Sequence, residues 1–342
     1  MPAVLVGLGS CLVAALITLP VARFARSRGM VDEPGVLLRK QQAIPVPLLG
    51  GVAIFLSTVI SLVIARGFGL LPGVFITDIK LLGLLSGGFI LMVGGFLDDR
   101  FRLQPRLQLL FPLFAAGCAV LSGVVIPYVR NPFGGILDVP YALGAVLTFG
   151  WILGTTYTTK LLDGLDGLAA GIGVIAAVLF VALSMRAELN QPDTALLGAA
   201  FGGALLGFLL FNFFPARIYL GEGGSTLIGF LIGSLAVAAG SKVATTLLIL
   251  GIPILDVGAI IIQRLRAGRP LAVGDRLHLH YRLLDLGLSP RRTVLLLWSL
   301  AALFGLAGII FDTRAKILAL LVLGGIMVAL LWITSRRTTH AS

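Results

Sequence analysis

Charge is scarce in this chain. Asp, Glu, Lys and Arg make up 12% of its 342 residues, where an average soluble domain carries roughly a quarter. Cysteine is scarcer still: Cys11 and Cys118 both sit inside apolar runs, which excludes a disulfide scaffold and reads as packed thiols. What remains is apolar, with 58% hydrophobic residues and a mean hydropathy of +1.06, so a soluble globular domain and a disordered chain are both excluded. The few charges are unbalanced, with a net of +11. In a soluble protein that excess suggests nucleic acid, but in a membrane protein basic residues first report the side of the bilayer on which a loop lies. No nucleic-acid partner is expected.

A bilayer core takes about 20 apolar residues per helix. Eleven runs qualify, at 3–22, 47–65, 81–97, 107–129, 140–159, 167–185, 195–214, 223–240, 243–262, 293–311 and 315–334. The first starts uncharged and is followed by Arg23, Arg26 and Arg28, the pattern of a retained helix rather than a cleaved signal. With the N-terminus outside, alternate loops place nineteen basic residues inside and seven outside. The expected fold is therefore an all-α polytopic membrane protein, a single domain over 1–342, N-terminus out and C-terminus in. The 44 glycines fit close helix packing in lipid, as in Gly167-Leu-Ala-Ala-Gly171. Gly171-Ile-Gly173 also matches a dinucleotide fingerprint, but no strand precedes it to complete that motif.

Ten of the fifteen acids fall on the inner side, although carboxylates are costly near a bilayer. Asp98-Asp99 closes the third run. Adjacent carboxylates raise one another's pKa unless a cation intervenes, so the pair reads either as interfacial charge or as part of a phosphate-and-metal site. Asp163-Gly-Leu-Asp166-Gly opens the sixth run, and the spacing places both acids on one helix face, with N-capping as the alternative for one of them. Tyr219-Leu-Gly221-Glu222-Gly-Gly-Ser225 reads as a glycine-rich turn entering a helix, a geometry that offers N–H groups to phosphate while Glu222 holds Mg²⁺. Asp256 is an intramembrane acid near the inner end of the ninth run. The inner loop over 263–292 carries Asp275-Arg276-Leu-His278-Leu-His280-Tyr281-Arg282, with two of the chain's three histidines. Hard oxygen donors nearby and no cysteine argue against zinc, and His with flanking Arg suits a diphosphate.

The ordered set, from Pro45-Val-Pro-Leu-Leu-Gly-Gly51 through Asp98-Asp99, Asp163-Gly-Leu-Asp-Gly-Leu-Ala169, Phe211-Asn-Phe-Phe-Pro-Ala216, Gly221 to Ser225 and Asp256 to the His-Leu-His loop, resembles the polyprenyl-phosphate N-acetylhexosamine-1-phosphate transferase family. The resemblance implies Mg²⁺-dependent transfer, with Mn²⁺ as the alternative ion, of a sugar-1-phosphate from a UDP-N-acetylhexosamine to a polyprenyl phosphate. UMP would be released at the cytoplasmic side of the inner membrane, starting cell-envelope glycan assembly. It implies Asp98, Asp99, Asp163 and Asp166 as catalytic acids, with Asp98 assisting attack. Glu222 and Asp163 would hold the metal, and Lys160, Gly221, Ser225, Asp256, Arg276, His278 and His280 would contact substrate. It leaves room for a homodimer.

The chain departs from the family pattern at four positions. Lys160 and Tyr157 stand where the family usually has Asn, Glu222 replaces Asp, and Tyr281 ends a shortened triple-His pattern. Lys160 is expected to pair with a donor phosphate or a neighbouring acid. The histidine loop favours UDP-N-acetylglucosamine as donor over the muramoyl-pentapeptide substrate. A transporter for an anionic solute and a catalytically altered scaffold are the competing classes. A transporter would gather its polar residues at the midplane in repeated halves, whereas here they gather at one face.

Overall fold

The computed structural model describes residues 1–33, 44–131, 133–240, 242–268 and 277–338. The helices are α1 (Pro2–Ser27), α2 (Gly50–Gly67), α3 (Asp78–Phe101), α4 (Pro105–Leu121), α5 (Tyr141–Leu162), α6 (Leu168–Ser184), α7 (Pro192–Asn212), α8 (Gly221–Ala238), α9 (Val243–Ile249), α10 (Gly251–Arg266), α11 (Leu279–Asp285), α12 (Pro290–Ile310) and α13 (Thr313–Thr338). The only strands among the described residues form two small antiparallel ribbons, β1 (Val31–Asp32) with β2 (Val46–Pro47) and β3 (Tyr128–Arg130) with β4 (Ile136–Asp138). The chain is otherwise all-α, as expected.

Each of the eleven apolar runs becomes helical, but not every one becomes a full span. Seven helices are long and apolar enough to cross a bilayer: α1, α2, α3, α7, α8, α12 and α13. The ninth run divides into α9 and α10, bent by 77°. Pro253 explains the break, because its ring lacks an N–H and collides with the carbonyl four residues earlier, that of Ile249, where α9 ends. Counting this bent pair gives eight spans, while α4 and α6 have 17 residues each. Apolar side chains left exposed on α1 (Leu5, Leu8, Leu12, Leu16) and α13 (Leu318, Leu321) face where lipid lies. The chain is a multi-pass membrane protein.

The centre of the bundle is α8, buried almost without interruption from Gly223 to Val237. Its glycines let three helices touch it by backbone. A Cβ on Gly51 of α2 would collide with the backbone of Gly224, one on Gly95 of α3 with that of Gly223, and one on Gly229 with Thr155 and Thr159 of α5. In lipid, where apolar burial gives little drive, such close approach is a principal source of helix association. It also brings the C-terminal ends of α3 and α5 beside the N-terminus of α8, and these ends carry the acids.

Candidate active site

The segment before α2 sets the site's frame. Tyr219 N–H donates to the Pro47 carbonyl at 2.8 Å, and the N–H groups of Gly50 and Gly51 donate to the carbonyls of Tyr219 and Leu220, both at 2.9 Å. This pairing delivers the chain into α8 at Gly221, which has a φ of 71°, a conformation that favours glycine. A Cβ there would also strike Asp99 Oδ2. The expected glycine-rich turn is itself helical: Gly221 to Ser225 is already the first turn of α8. Glu222 N–H is engaged by Asp99 Oδ1 at 3.2 Å, and the Ser225 hydroxyl turns back to the Gly221 and Glu222 carbonyls at 3.3 and 3.2 Å. Gly223 and Gly224 serve helix contact, lying against the backbones of α3 and α2.

Asp98 lies one residue away, at the end of α3. Its Oδ1 accepts from Leu103 N–H at 2.9 Å and from Gln108 Nε2 at 2.8 Å. Gln108 Oε1 accepts in turn from Lys160 Nζ at 3.0 Å, and Lys160 pairs with Glu222 Oε1 at 2.5 Å. Asp98, Gln108, Lys160 and Glu222 thus form one chain of charge-assisted contacts across α3, α4, α5 and α8. A cleft bordered by Gly94, Asp98, Gln108, Phe111 and Glu222 opens beside it. Of the two expected partners of Lys160, the structure supplies the neighbouring acid, and that acid is a glutamate.

Asp163 and Asp166 do not share a helix face. Asp163 caps the C-terminus of α5, and α6 starts only at Leu168, after Gly167 with a φ of 80°. The two acids belong to the intervening turn, and neither is the N-cap. Asp166 Oδ2 accepts from Ala216 N–H at 2.9 Å. Asn212 fixes both sides of this junction, its Oδ1 accepting from Gly167 N–H at 3.1 Å and its Nδ2 donating to the Ile218 carbonyl at 2.9 Å. Burial first, then the charges of Asp166, Asp32 and Asp163, push the Tyr219 phenol above its ordinary pKa. Tyr219 therefore marks the point where these acids and the β1–β2 ribbon converge.

The histidine loop packs onto the same turn. Asp256, buried on α10, accepts from Leu279 N–H at 2.9 Å and lies 2.8 Å from His278 Nδ1, so this intramembrane acid anchors the loop. The rings of His278 and His280 stack 5.5 Å apart at 8°; their i, i+2 spacing brings them together because His278 is the extended N-cap of α11. Tyr281 Oη donates to the Gly164 carbonyl at 3.3 Å, and a Cβ on Gly164 would strike His280 Nε2. Arg276, with Asp275, lies outside the described residues.

One end of the bundle therefore gathers Asp98, Asp99, Lys160, Asp163, Asp166, Gly221, Glu222, Ser225, Asp256, His278 and His280. Sequence reasoning missed Gln108, a lone amide in an apolar run and the link between Asp98 and Lys160. Its polarity within that run was the available signal. The donor chemistry suits Mg²⁺, which takes one or two carboxylates and completes its shell with substrate phosphates and water. Among the described residues no three His, Cys, Asp or Glu side chains are gathered into a ready cage. A metal at Glu222 would share the carboxylate with Lys160 or compete with it.

Residues 81–240 match the model of glycosyl transferase family 4. Over 92% of its length the chain is 33% identical to a probable undecaprenyl-phosphate N-acetylglucosaminyl 1-phosphate transferase of Bacillus subtilis, covering 86% of that protein. It is 31% identical, over 94% of its length and 87% of the relative's, to a decaprenyl-phosphate N-acetylglucosaminephosphotransferase of Mycobacterium tuberculosis. A phospho-N-acetylmuramoyl-pentapeptide-transferase of Chlamydia pneumoniae is 30% identical, over 86% of the chain and 90% of the relative. With 33% identity to the first of these relatives over 92% of its length, the chain belongs to glycosyl transferase family 4 and is an enzyme of its phosphosugar-transferring kind.

Proposed function

We propose that the protein transfers N-acetylglucosamine-1-phosphate from UDP-N-acetylglucosamine to undecaprenyl phosphate or a similar polyprenyl phosphate, releasing UMP at the cytoplasmic face of the inner membrane. The observation that carries this reading is the fixed Asp98–Gln108–Lys160–Glu222 chain beside Asp99, at the end of a membrane bundle similar along nearly its whole length to transferases of that name. The surplus of basic residues in the loops on that side supports an inward-facing site.

In this reaction an oxygen of the acceptor phosphate attacks the β-phosphorus of the donor. The new P–O bond forms as the bond from that phosphorus to the bridging oxygen breaks, and UMP leaves with the bridging oxygen. Such a transfer needs alignment and charge neutralisation more than covalent chemistry. Asp98, oriented through one oxygen by two donors, receives any proton left on the attacking phosphate. Lys160 supplies positive charge between Asp98 and Glu222. Asp256 holds His278 and His280 where the donor diphosphate is bound, beside Asp163 and Asp166. Mg²⁺, or Mn²⁺ in its place, would be held by Glu222 and Asp163 and would neutralise the diphosphate.

The test is UMP release by the purified full chain in detergent, with Mg²⁺ and undecaprenyl phosphate, comparing UDP-N-acetylglucosamine with UDP-N-acetylmuramoyl-pentapeptide. Release with the first donor and not the second is expected. Release with only the second would transfer the protein to the muramoyl-pentapeptide branch, and none with either, beside an active control, would remove the reading.

A further inference from the structure

At the opposite end of the bundle, cations converge from four separate segments. Tyr128 on β3 hydrogen-bonds the Gly240 carbonyl at 3.3 Å, and Arg130, two residues along that strand, lies on the same face. Gly240 stands two residues before Lys242, the residue that precedes α9. Within α9, Thr245 Oγ1 receives Lys316 Nζ of α13 at 3.2 Å and donates to the Gly308 carbonyl at 3.0 Å. Next to Gly308, the Ile309 carbonyl accepts from Arg186 Nη1 at 3.0 Å. This set of bonds gathers Arg130, Arg186, Lys242 and Lys316 into one patch.

Two of the acids at this end are already committed. Arg66 at this end is paired with Asp78 at 2.6 Å, and Asp193 is committed to the N–H groups of Gly73 and Phe75. Burial first, then repulsion from Arg130 and Lys316, lowers the Lys242 ammonium to about 8. Lys316 faces Arg130 and Arg186, with Asp312 as its acidic neighbour, and Asp312 also caps the Ala315 N–H at 2.8 Å. Crowded, half-buried like charges cost free energy that a bound anion recovers. Lys and Arg donors approaching from several directions match the oxygens of a phosphate, and the ends of a membrane bundle lie where lipid phosphates are concentrated.

We propose that Arg130, Arg186, Lys242 and Lys316 form a binding site for a phosphate group, at the end of the bundle away from the transfer chemistry. The site is independent of the sugar and acceptor assigned above. Its occupant is the headgroup of a phosphate-bearing lipid or free phosphate, and the test separates these sources.

The full chain in detergent is titrated with phosphatidic acid and with diacylglycerol of the same acyl chains, and retained lipid is counted by native mass spectrometry. A parallel melting curve is recorded with inorganic phosphate. Wild type should retain phosphatidic acid in preference to diacylglycerol. That preference should fall about thirtyfold in K242Q/K316Q, from about 1 kcal/mol for each of two basic residues near a lipid phosphate, while R66Q, which removes a paired cation at the same end, should keep it. Stabilisation by millimolar phosphate that is lost in the double variant identifies free phosphate as the source; lipid preference without that stabilisation identifies the headgroup. Equal preference in wild type and K242Q/K316Q overturns the proposal. Should that variant fail to fold, R130Q/R186Q, altered at exposed positions, gives the same comparison.

Discussion

The two ends of the bundle handle charge in opposite ways. At one, Asp98, Asp166, Glu222 and Asp256 each accept from a named donor, and the cation Lys160 stands between two of the helices that carry them. At the other, Lys242 and Lys316 are half buried beside further cations, with Asp312 as the acid at hand. The acidic end is preorganised, its groups fixed before any ligand arrives, as transition-state stabilisation requires. The basic end crowds cations on one another, the condition in which binding an anion would relieve repulsion.

Four substitutions would break or sharpen this contrast. Asp98→Asn keeps the hydrogen bonds available to the amide oxygen but removes the base, so UMP release should fall by about 10²–10⁴-fold with little change in melting temperature; an unchanged rate would take Asp98 out of the chemistry. Gly51→Ala drives a methyl group into the Gly224 backbone and should lower stability by about 1–3 kcal/mol, read by thermal denaturation in detergent. Lys160→Met releases Glu222 from its ion pair. Mn²⁺ binding, followed by electron paramagnetic resonance without substrate, should then tighten about tenfold, the worth of one charged hydrogen bond; unchanged affinity would place the metal elsewhere.

The smallest effect belongs to the basic end. The folded-state pKa of Lys242, about 8, lies below its ordinary 10.5. Between those values the unfolded chain binds more protons than the folded one, so stability should rise as pH increases through that window. Lys242→Gln should be slightly more stable than wild type at pH 7, and the part of the pH slope that Lys242 contributes should disappear.

Hydropathy made the helices legible: all eleven apolar runs became helical, and the acids chosen for their cost near a bilayer converge at one end. What escaped were features decided by backbone contact. Asp163 and Asp166 carry the spacing of a helix face, yet the conformation of Gly167 and the packing of Gly164 under His280 hold them in a turn. Gly221 to Gly224 carries the composition of a phosphate loop, yet the same absence of side chains serves the crossing of α2, α3 and α8. The break between α9 and α10 was written in Pro253, but a hydropathy window averages across it. Lys160 signalled a departure without naming its partners, because Glu222 is 62 residues away in the chain and Gln108 is 52.

The glycine crossing has a mechanical consequence. Lateral pressure and changes in membrane thickness act first on the outermost helices, α1 and α13, of which only 17% is buried. Asp98, Asp99 and Glu222 stand instead on α3 and α8, joined backbone to backbone at Gly95 and Gly223 with no side chain between them to yield. A bilayer that tilts the periphery should therefore leave the separation of these three acids almost unchanged.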